Sequence, residues 1–93
     1  MRLAATPLRR ALGMLGWREP QPLFIAPARS VHTCGMRFAI DVVFLDDRLR
    51  VVRVVRALRP WRVASSRRAR AVLELPAGGA ADIERGMRLA LRP

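Results

Sequence analysis

Three side chains that can do chemistry stand close together near the middle of the chain. His32 and Cys34 are two positions apart, so an extended segment would point both side chains to one face. Thr33 lies between them, and Asp41 follows a few residues later. A carboxylate can orient an imidazole, and an imidazole can lower the pKa of a thiol. The residue types are therefore those of a Cys-His-Asp nucleophilic site, the first hypothesis to weigh.

Asp41 is unusual because it opens an apolar strand-like segment. We predict that it has a structural role, in which its oxygens accept backbone N–H groups of the turn at residues 32–37. The alternative is a pocket carboxylate that binds a ligand or metal with His32, for which Glu74 or Asp46 would have to supply further ligands. One histidine and one cysteine are too few for a closed zinc site. The sequence predicts no metal, no cofactor and no catalytic residue, and Cys34 is expected to be a small buried hydrophobe.

The second feature is a tryptophan among arginines. Trp61 could stack on bases while guanidinium groups hold phosphates, or it could stack on its own arginines or cover one end of the fold. The formal net charge is +11 and attracts anionic partners, but the shortage of lysine indicates compositional bias. No RRM, KH or helix-turn-helix signature accompanies the basic residues. The expected basic surface contains Arg59, Arg62, Arg67, Arg68 and Arg70.

Length and composition predict one domain over residues 1–93. The chain is 52% hydrophobic and 27% charged, which argues against disorder, and it has no apolar run of the ~18 residues that a membrane span needs. Residues 1–17 have a basic, amphipathic character, but we interpret them as a first strand and helix and not as a targeting segment. A cytoplasmic location is therefore expected.

Proline and glycine divide the chain into short elements. Residues 49–58 have arginines at helical spacing, but four valines in five positions favour a strand that forms a hairpin with the segment before it. The alternating pattern at 70–75 predicts a strand in which Ala71, Leu73 and Leu75 face in and Arg70, Val72 and Glu74 face the other way. The other predictions are strands at 3–6, 23–26, 38–45 and 87–91, helices at 7–12 or 7–15 and at 80–85, and loops at 31–37 and 61–70.

These elements must position the candidate residues within a mainly β protein. Five or six short strands and one or two short helices are typical of a β sandwich or small barrel. Such a fold could bring residues 30–46 and 59–63 together at one end. The decisive geometric question is whether His32, Cys34, Asp41 and Trp61 line one concave pocket.

Three segments resemble a known family. They are Ser30–Asp46, Arg59–Val63 and Ala71–Gly78, and in this order they look like domain-of-unknown-function family 192, with a resemblance covering residues 3–91. The chain is similar to the branch that carries a histidine-threonine and a glycine-methionine pair. The resemblance implies a compact sandwich or jelly-roll fold, a strand at 49–58, and an aspartate at position 41 that both branches share. Relatives often carry phenylalanine where Cys34 stands, which argues against an essential thiolate.

The resemblance implies no established activity. The leading hypothesis is a non-enzymatic accessory domain that binds a small ligand or a partner protein, and the neighbourhood of some relatives would suit an envelope-associated role. The second hypothesis is a basic nucleic-acid-binding accessory domain. The third is an enzyme that uses His32 and Asp41. The ligand-binding candidates shared by these hypotheses are His32, Thr33, Cys34, Asp41 and Trp61.

Overall fold

The computed structural model describes residues 2–4, 14 and 19–90, with the backbone alone for residues 2–4. The described residues form seven β-strands in two sheets and no helix. The mainly β class is thus confirmed, while a jelly-roll arrangement is not. The strands are β1 (Arg2–Ala4), β2 (Leu23–Ile25), β3 (Ser30–His32), β4 (Ile40–Leu45), β5 (Val51–Leu58), β6 (Val63–Ser65) and β7 (Ala71–Pro76).

The main sheet has the order β1-β2-β7-β4-β5. β1 runs parallel to β2, and every other neighbouring pair in this sheet is antiparallel. The predicted hairpin of β4 and β5 is confirmed, with a turn closed by Asp46, whose Oδ1 accepts the backbone N–H groups of Arg48 and Arg50. These bonds, led by that from Arg50, lower the pKa of Asp46. Leu49, with a φ of 62°, adopts the left-handed conformation for which such a turn usually carries a glycine.

Both faces of the main sheet are covered. On one face, Val42, Phe44 and Val72 pack against Val31 and Ala64 of the small sheet formed by β3 and β6. On the other face, a second cluster packs around Val43, Leu45, Val51, Leu73 and Ala80. Every residue of β4 is buried, which explains its nearly continuous apolar sequence.

The predicted alternation at 70–75 is present in β7, but both of its faces are buried. Leu73 packs in one cluster and Val72 in the other, and Glu74 is buried as well. The small sheet and its surroundings cover the face that carries Val72 and Glu74. A central position between β2 and β4 accounts for this burial, since neither face of a covered central strand reaches water.

Two predicted loops contain the small sheet. β3 lies at the start of the irregular segment and β6 within the basic loop, and they pair in antiparallel register with Val31 opposite Ala64. Each strand has three residues, of which only the central one is buried. Such short segments carry too little apolar periodicity to be recognised as strands before their partner is known.

The predicted helix at 80–85 is wrong. These residues form turns, in which the N–H of Ile83 bonds to Ala80. The guanidinium of Arg56 donates to the carbonyl groups of Ala80 and Ile83, and the N–H of Ala80 is bound by Asp41. Side chains of β4 and β5 therefore bind the backbone of these turns and hold them against the sheet. The other predicted helix lies outside the described residues.

The predicted closing strand at 87–91 is also wrong over the described residues. Only one isolated bridge, between Arg50 and Arg88, joins this segment to the sheet. Backbone hydrogen bonds join Gly86 and Met87 to Val51, so the segment covers the first residue of β5. Leu91 lies outside the described part of the chain.

Candidate functional site

Thr33 fixes a turn between β5 and β6. Its side chain is fully buried, and its Oγ1 accepts the backbone N–H of Arg62 at 2.9 Å and donates to the carbonyl of Arg59. Its own N–H donates to the carbonyl of Arg62, and its carbonyl accepts the N–H of Trp61 at 3.0 Å. One threonine therefore holds both sides of the turn at residues 59–62, and the turn has little freedom to move.

Trp61 is held in an exposed position by this turn. Its side chain is 67% exposed, and its φ of 63° is in the left-handed region. A side chain in this region costs ~1–2 kcal/mol relative to ordinary helical or extended backbone. The anchoring bonds to Thr33 impose the conformation, and burial of the indole gives little return for it. A strained, exposed aromatic residue is a candidate for binding.

Two further exposed side chains lie close in the chain to the turn that Thr33 fixes. Val63, on β6, is 69% exposed, and His32, on β3, lies directly opposite it in the register of the small sheet. Both point away from the core, because the central residues of β3 and β6 take the inward positions. We refer to His32, Trp61 and Val63 as the Trp61 platform. It offers an indole, an aliphatic side chain and an imidazole to solvent on a rigid support.

Cys34 follows the buried Thr33 in the loop after β3. It is half-buried, and its backbone N–H donates to Nδ1 of His32 at 3.3 Å. The His32 ring thus accepts a hydrogen bond from the backbone, and this bond helps to fix the orientation of the ring.

The prediction for Asp41 is right in kind and wrong in place. Its Oδ1 accepts the N–H of Ala57 at 2.9 Å, and its Oδ2 accepts those of Gly78 at 3.0 Å and Ala80 at 2.9 Å. The carboxylate, 1% exposed, therefore anchors the turn after β7 and a bulge in β5, and not the turn at residues 32–37. Three backbone N–H groups bind the carboxylate, which gives it a structural role.

The structure separates Asp41 from the other candidates. On β4, Ile40 and Val42 face the small sheet, so Asp41 faces the opposite cluster, which contains Ala80. His32, Thr33, Cys34 and Trp61 meet on the small-sheet side, through the turn that Thr33 fixes. The single pocket that would unite all candidates is therefore absent from the described residues, because alternation along β4 sends Asp41 to the other face.

The sequence suggested no role for Glu74 beyond that of an additional ligand in a pocket with His32 and Asp41. Its side chain is 1% exposed, and its Oε2 has no hydrogen-bond partner among the described residues. Burial raises the pKa of the Glu74 carboxyl to about 7. In the register it lies between Leu23 and Val42, on the face toward the small sheet. The signal was Val72 two residues earlier, which marks the same face of β7 as apolar.

The five predicted basic residues are all exposed. Arg62 donates to the carbonyl of Trp61, its neighbour, and Arg70 donates to that of Ala69. Such bonds to neutral carbonyl groups leave the positive charge uncompensated. The surface around the platform therefore includes guanidinium groups at Arg59 and Arg62 on both sides of the tryptophan.

The fold and the platform define a small two-sheet β domain with an exposed aromatic turn, and no helix in its described part is long and apolar enough to cross a membrane. The model of the DUF192 family, described as an uncharacterized ACR, matches residues 1–91. The chain belongs to this family, which confirms the resemblance seen in the sequence.

Two archaeal proteins are similar to most of this chain. A UPF0127 protein of Pyrococcus horikoshii is 38% identical over 86 residues, which cover 84% of this chain and 73% of that protein. A UPF0127 protein of Pyrococcus furiosus is 36% identical in an alignment of 99 positions, which covers 96% of this chain and 84% of that protein.

Two crystal structures share the fold. A protein of unknown function from Novosphingobium aromaticivorans has a TM-score of 0.85 at 21% identity, covering 96% of this chain and 72% of its own. A protein from Sinorhizobium meliloti, proposed to be a transcription regulator, also has a TM-score of 0.85, at 20% identity, covering 95% and 78%. At these identities, the likeness describes the fold alone.

Proposed function

We propose that this chain is a non-enzymatic binding module that recognises a partner protein through the Trp61 platform. The observation that carries the proposal is the 67% exposure of Trp61 on a turn that Thr33 fixes. Exposed tryptophan flanked by arginine is the composition that dominates the energetics of protein interfaces. A rigid turn also lowers the entropy that the module loses on binding.

The platform suits a partner that presents an apolar side chain with acidic residues around it. Trp61 and Val63 supply an apolar contact, and Arg59 and Arg62 supply guanidinium groups that can pair with carboxylates. His32, opposite Val63, adds a hydrogen-bonding ring at the same surface. The proposed function needs no reaction step, in keeping with the separation of Asp41 from His32.

Site-specific crosslinking in the cells that naturally express the protein tests this proposal. A photoreactive phenylalanine analogue replaces Val63 in one version and Ala77, an exposed residue of the turn after β7, in a matched control. We expect a discrete protein adduct from position 63, which W61A abolishes, and no such adduct from position 77. The same adducts from both positions, or none from position 63, would contradict the proposal.

Single-stranded nucleic acid is the second candidate, because Trp61 is exposed between Arg59 and Arg62. Stacking on an exposed aromatic residue contributes ~1–3 kcal/mol per base. In a W17F background, Trp61 is the remaining tryptophan, so its fluorescence reports stacking directly. Quenching by a short oligothymidylate, with an affinity that falls steeply as salt rises, would favour this candidate. We expect no quenching at low salt.

A further inference from the structure

β5 is an edge strand of the main sheet, and only its beginning is covered. The order of the sheet places β4 on one side of β5 and no described strand on the other. Gly86 and Met87 bond to the backbone of Val51, and Leu89 bonds to that of Leu49. Beyond Val51, the outer side of β5 opens into a groove of about 380 Å³. An open strand edge is a template for pairing with another extended chain.

The register indicates which backbone groups face this groove. The N–H of Val51 donates to the carbonyl of Met87, and its carbonyl accepts the N–H of Gly86, so both groups point to the outer side of β5. A bulge follows Val51. After the bulge, Arg53 pairs with Phe44, and the alternation of an antiparallel ladder turns the backbone groups of Val54 and Arg56 outward. Val54 and Arg56 both line the groove. Their N–H and carbonyl groups are those that an added strand would pair with.

The side chains along the groove give it a charge. Arg53, Arg56 and Arg85 line it, together with a single carboxylate, that of Glu84. Arg53 donates to the carbonyl of Ser65, and Arg56 donates to those of Ala80 and Ile83. These bonds hold the two guanidinium groups in place without neutralising them, so the positive charge is fixed beside the open backbone.

This charge also selects between occupants. A second copy of β5 would place its own arginines against Arg53 and Arg56, and like charges on paired strands are destabilising. An acidic strand would instead place carboxylates beside these guanidinium groups, and opposite charges on paired strands are stabilising. We propose that the outer edge of β5 binds an extended acidic peptide by strand addition, at a site separate from the Trp61 platform. Backbone bonds to Val54 and Arg56 would provide affinity, and Arg56 and Arg85 would select carboxylates.

A short fluorescein-labelled peptide that alternates glutamate with valine is a suitable probe. Its alternation places all carboxylates on one face, toward Arg56 and Arg85, and its valines on the other, toward Val52. Fluorescence anisotropy measures its binding to the full chain, and hydrogen exchange reports the amides of Val54 and Arg56. We expect binding together with slower exchange at those two amides.

Two controls separate strand addition from charge attraction alone. A peptide of the same sequence with alternate amides N-methylated keeps its charge but loses half of its main-chain donors, and we expect at least ~10-fold weaker binding. Arg85→Glu, which changes a groove residue without a described hydrogen bond, should weaken binding by ~10-fold, whereas Arg68→Glu, at an exposed loop position, should change it less than ~2-fold.

The opposite outcomes would overturn the proposal. Equal binding of the methylated peptide, or equal effects of Arg85→Glu and Arg68→Glu, would show that the net charge alone attracts the probe. Unchanged exchange at Val54 and Arg56 would show that the peptide binds elsewhere, and loss of binding in W61A would assign it to the platform. Dimerisation of the free chain with protection of the same amides would show that a second copy occupies the edge.

Discussion

The regions around Asp41 and around Trp61 show two opposite uses of conspicuous residues. Asp41 is 1% exposed and accepts three backbone hydrogen bonds, so its chemistry is fully used within the fold. Trp61 is 67% exposed, and its strained backbone is held by bonds to Thr33. The comparison teaches that a polar residue in an apolar strand serves the structure here, whereas an apolar residue on the surface points to function.

Glu74 extends the comparison to a second buried acid. It lies on β7, next to β4, and has the same 1% exposure as Asp41, but it faces the opposite side of the main sheet. Asp41 meets backbone donors in the bulge of β5 and the turn after β7, whereas Oε2 of Glu74 meets none among the described residues. Equal burial therefore accompanies a carboxylate with three backbone hydrogen bonds in one case and a raised pKa in the other.

Removal of the Asp41 carboxylate tests whether this residue is a structural anchor, and it should have the largest effect on stability. Asp41→Ala leaves three backbone N–H groups without their acceptor, and we expect it to lower the free energy of unfolding by ~3–5 kcal/mol. Urea denaturation at pH 7 measures this loss. A loss below ~1 kcal/mol would mean that the carboxylate is not an anchor and would reopen its role as a site residue.

The pH dependence of stability tests the contrast between the two acids. The unfolded chain ionises Glu74 near pH 4.5, whereas the folded chain retains the proton until about pH 7. Between these two pH values the unfolded chain has lost this proton and the folded chain has not, so rising pH favours the unfolded state. Glu74 therefore lowers the free energy of unfolding by ~3 kcal/mol as pH rises from 4.5 to 7. Above pH 7 its effect is constant.

Glu74→Gln isolates this contribution because the amide does not ionise. The stability difference between the variant and the original chain should move in favour of the variant as pH rises through 4.5–7. Denaturation curves for both proteins between pH 4 and 8 measure that difference. A difference that does not change with pH would show that Glu74 ionises normally in the folded chain.

Thr33→Val tests whether one hydroxyl holds the Trp61 turn. The change keeps the size of the side chain but removes the hydrogen bonds of Oγ1 to Arg59 and Arg62. We expect a loss of ~1–3 kcal/mol, because the part-buried carbonyl of Arg59 and N–H of Arg62 lose this partner. Trp61 fluorescence anisotropy in a W17F background should also fall, as the turn gains freedom. A variant with unchanged stability and anisotropy would remove Thr33 from the account.

The smallest effect is expected at the bulge that Asp41 binds. Ala57 has a φ of 53°, which disfavours a side chain, and it is exposed. Ala57→Gly relieves that strain while keeping the N–H that donates to Asp41, although the unfolded chain gains entropy. We expect a stabilisation of up to ~1 kcal/mol, measured by thermal unfolding. A clear destabilisation would indicate that the methyl group packs in the bulge.

Local signals in the sequence predicted much of the fold. The valine-rich segment after the turn at 46–48 identified β5, and the apolar run before it identified β4. The partners of the polar residues could not be predicted, because they are distant in the sequence. Asp41 binds Ala80, 39 positions away, and Thr33 binds Arg62, 29 positions away.

The candidate site was predicted in part for a related reason. His32, Thr33 and Cys34 were grouped with Asp41, and Trp61 was a separate candidate, since a short polar loop and a Pro-Trp turn are recognisable locally. Asp41 lies on the other face of the main sheet because side chains alternate along β4. This could not be predicted without knowing which face the small sheet covers. Val63 was passed over because an exposed valine in a basic loop has no distinctive pattern.

We propose that the side chain of Trp61 serves binding and not folding, and W61G tests this role most directly. Glycine adopts a φ of 63° without strain, and the indole contributes little burial at 67% exposure. We predict that the free energy of unfolding of W61G, measured by urea denaturation at pH 7, is unchanged or up to ~1 kcal/mol higher, while the crosslink from position 63 disappears. A loss of more than ~1 kcal/mol would show that Trp61 covers one end of the fold, and it would contradict the account.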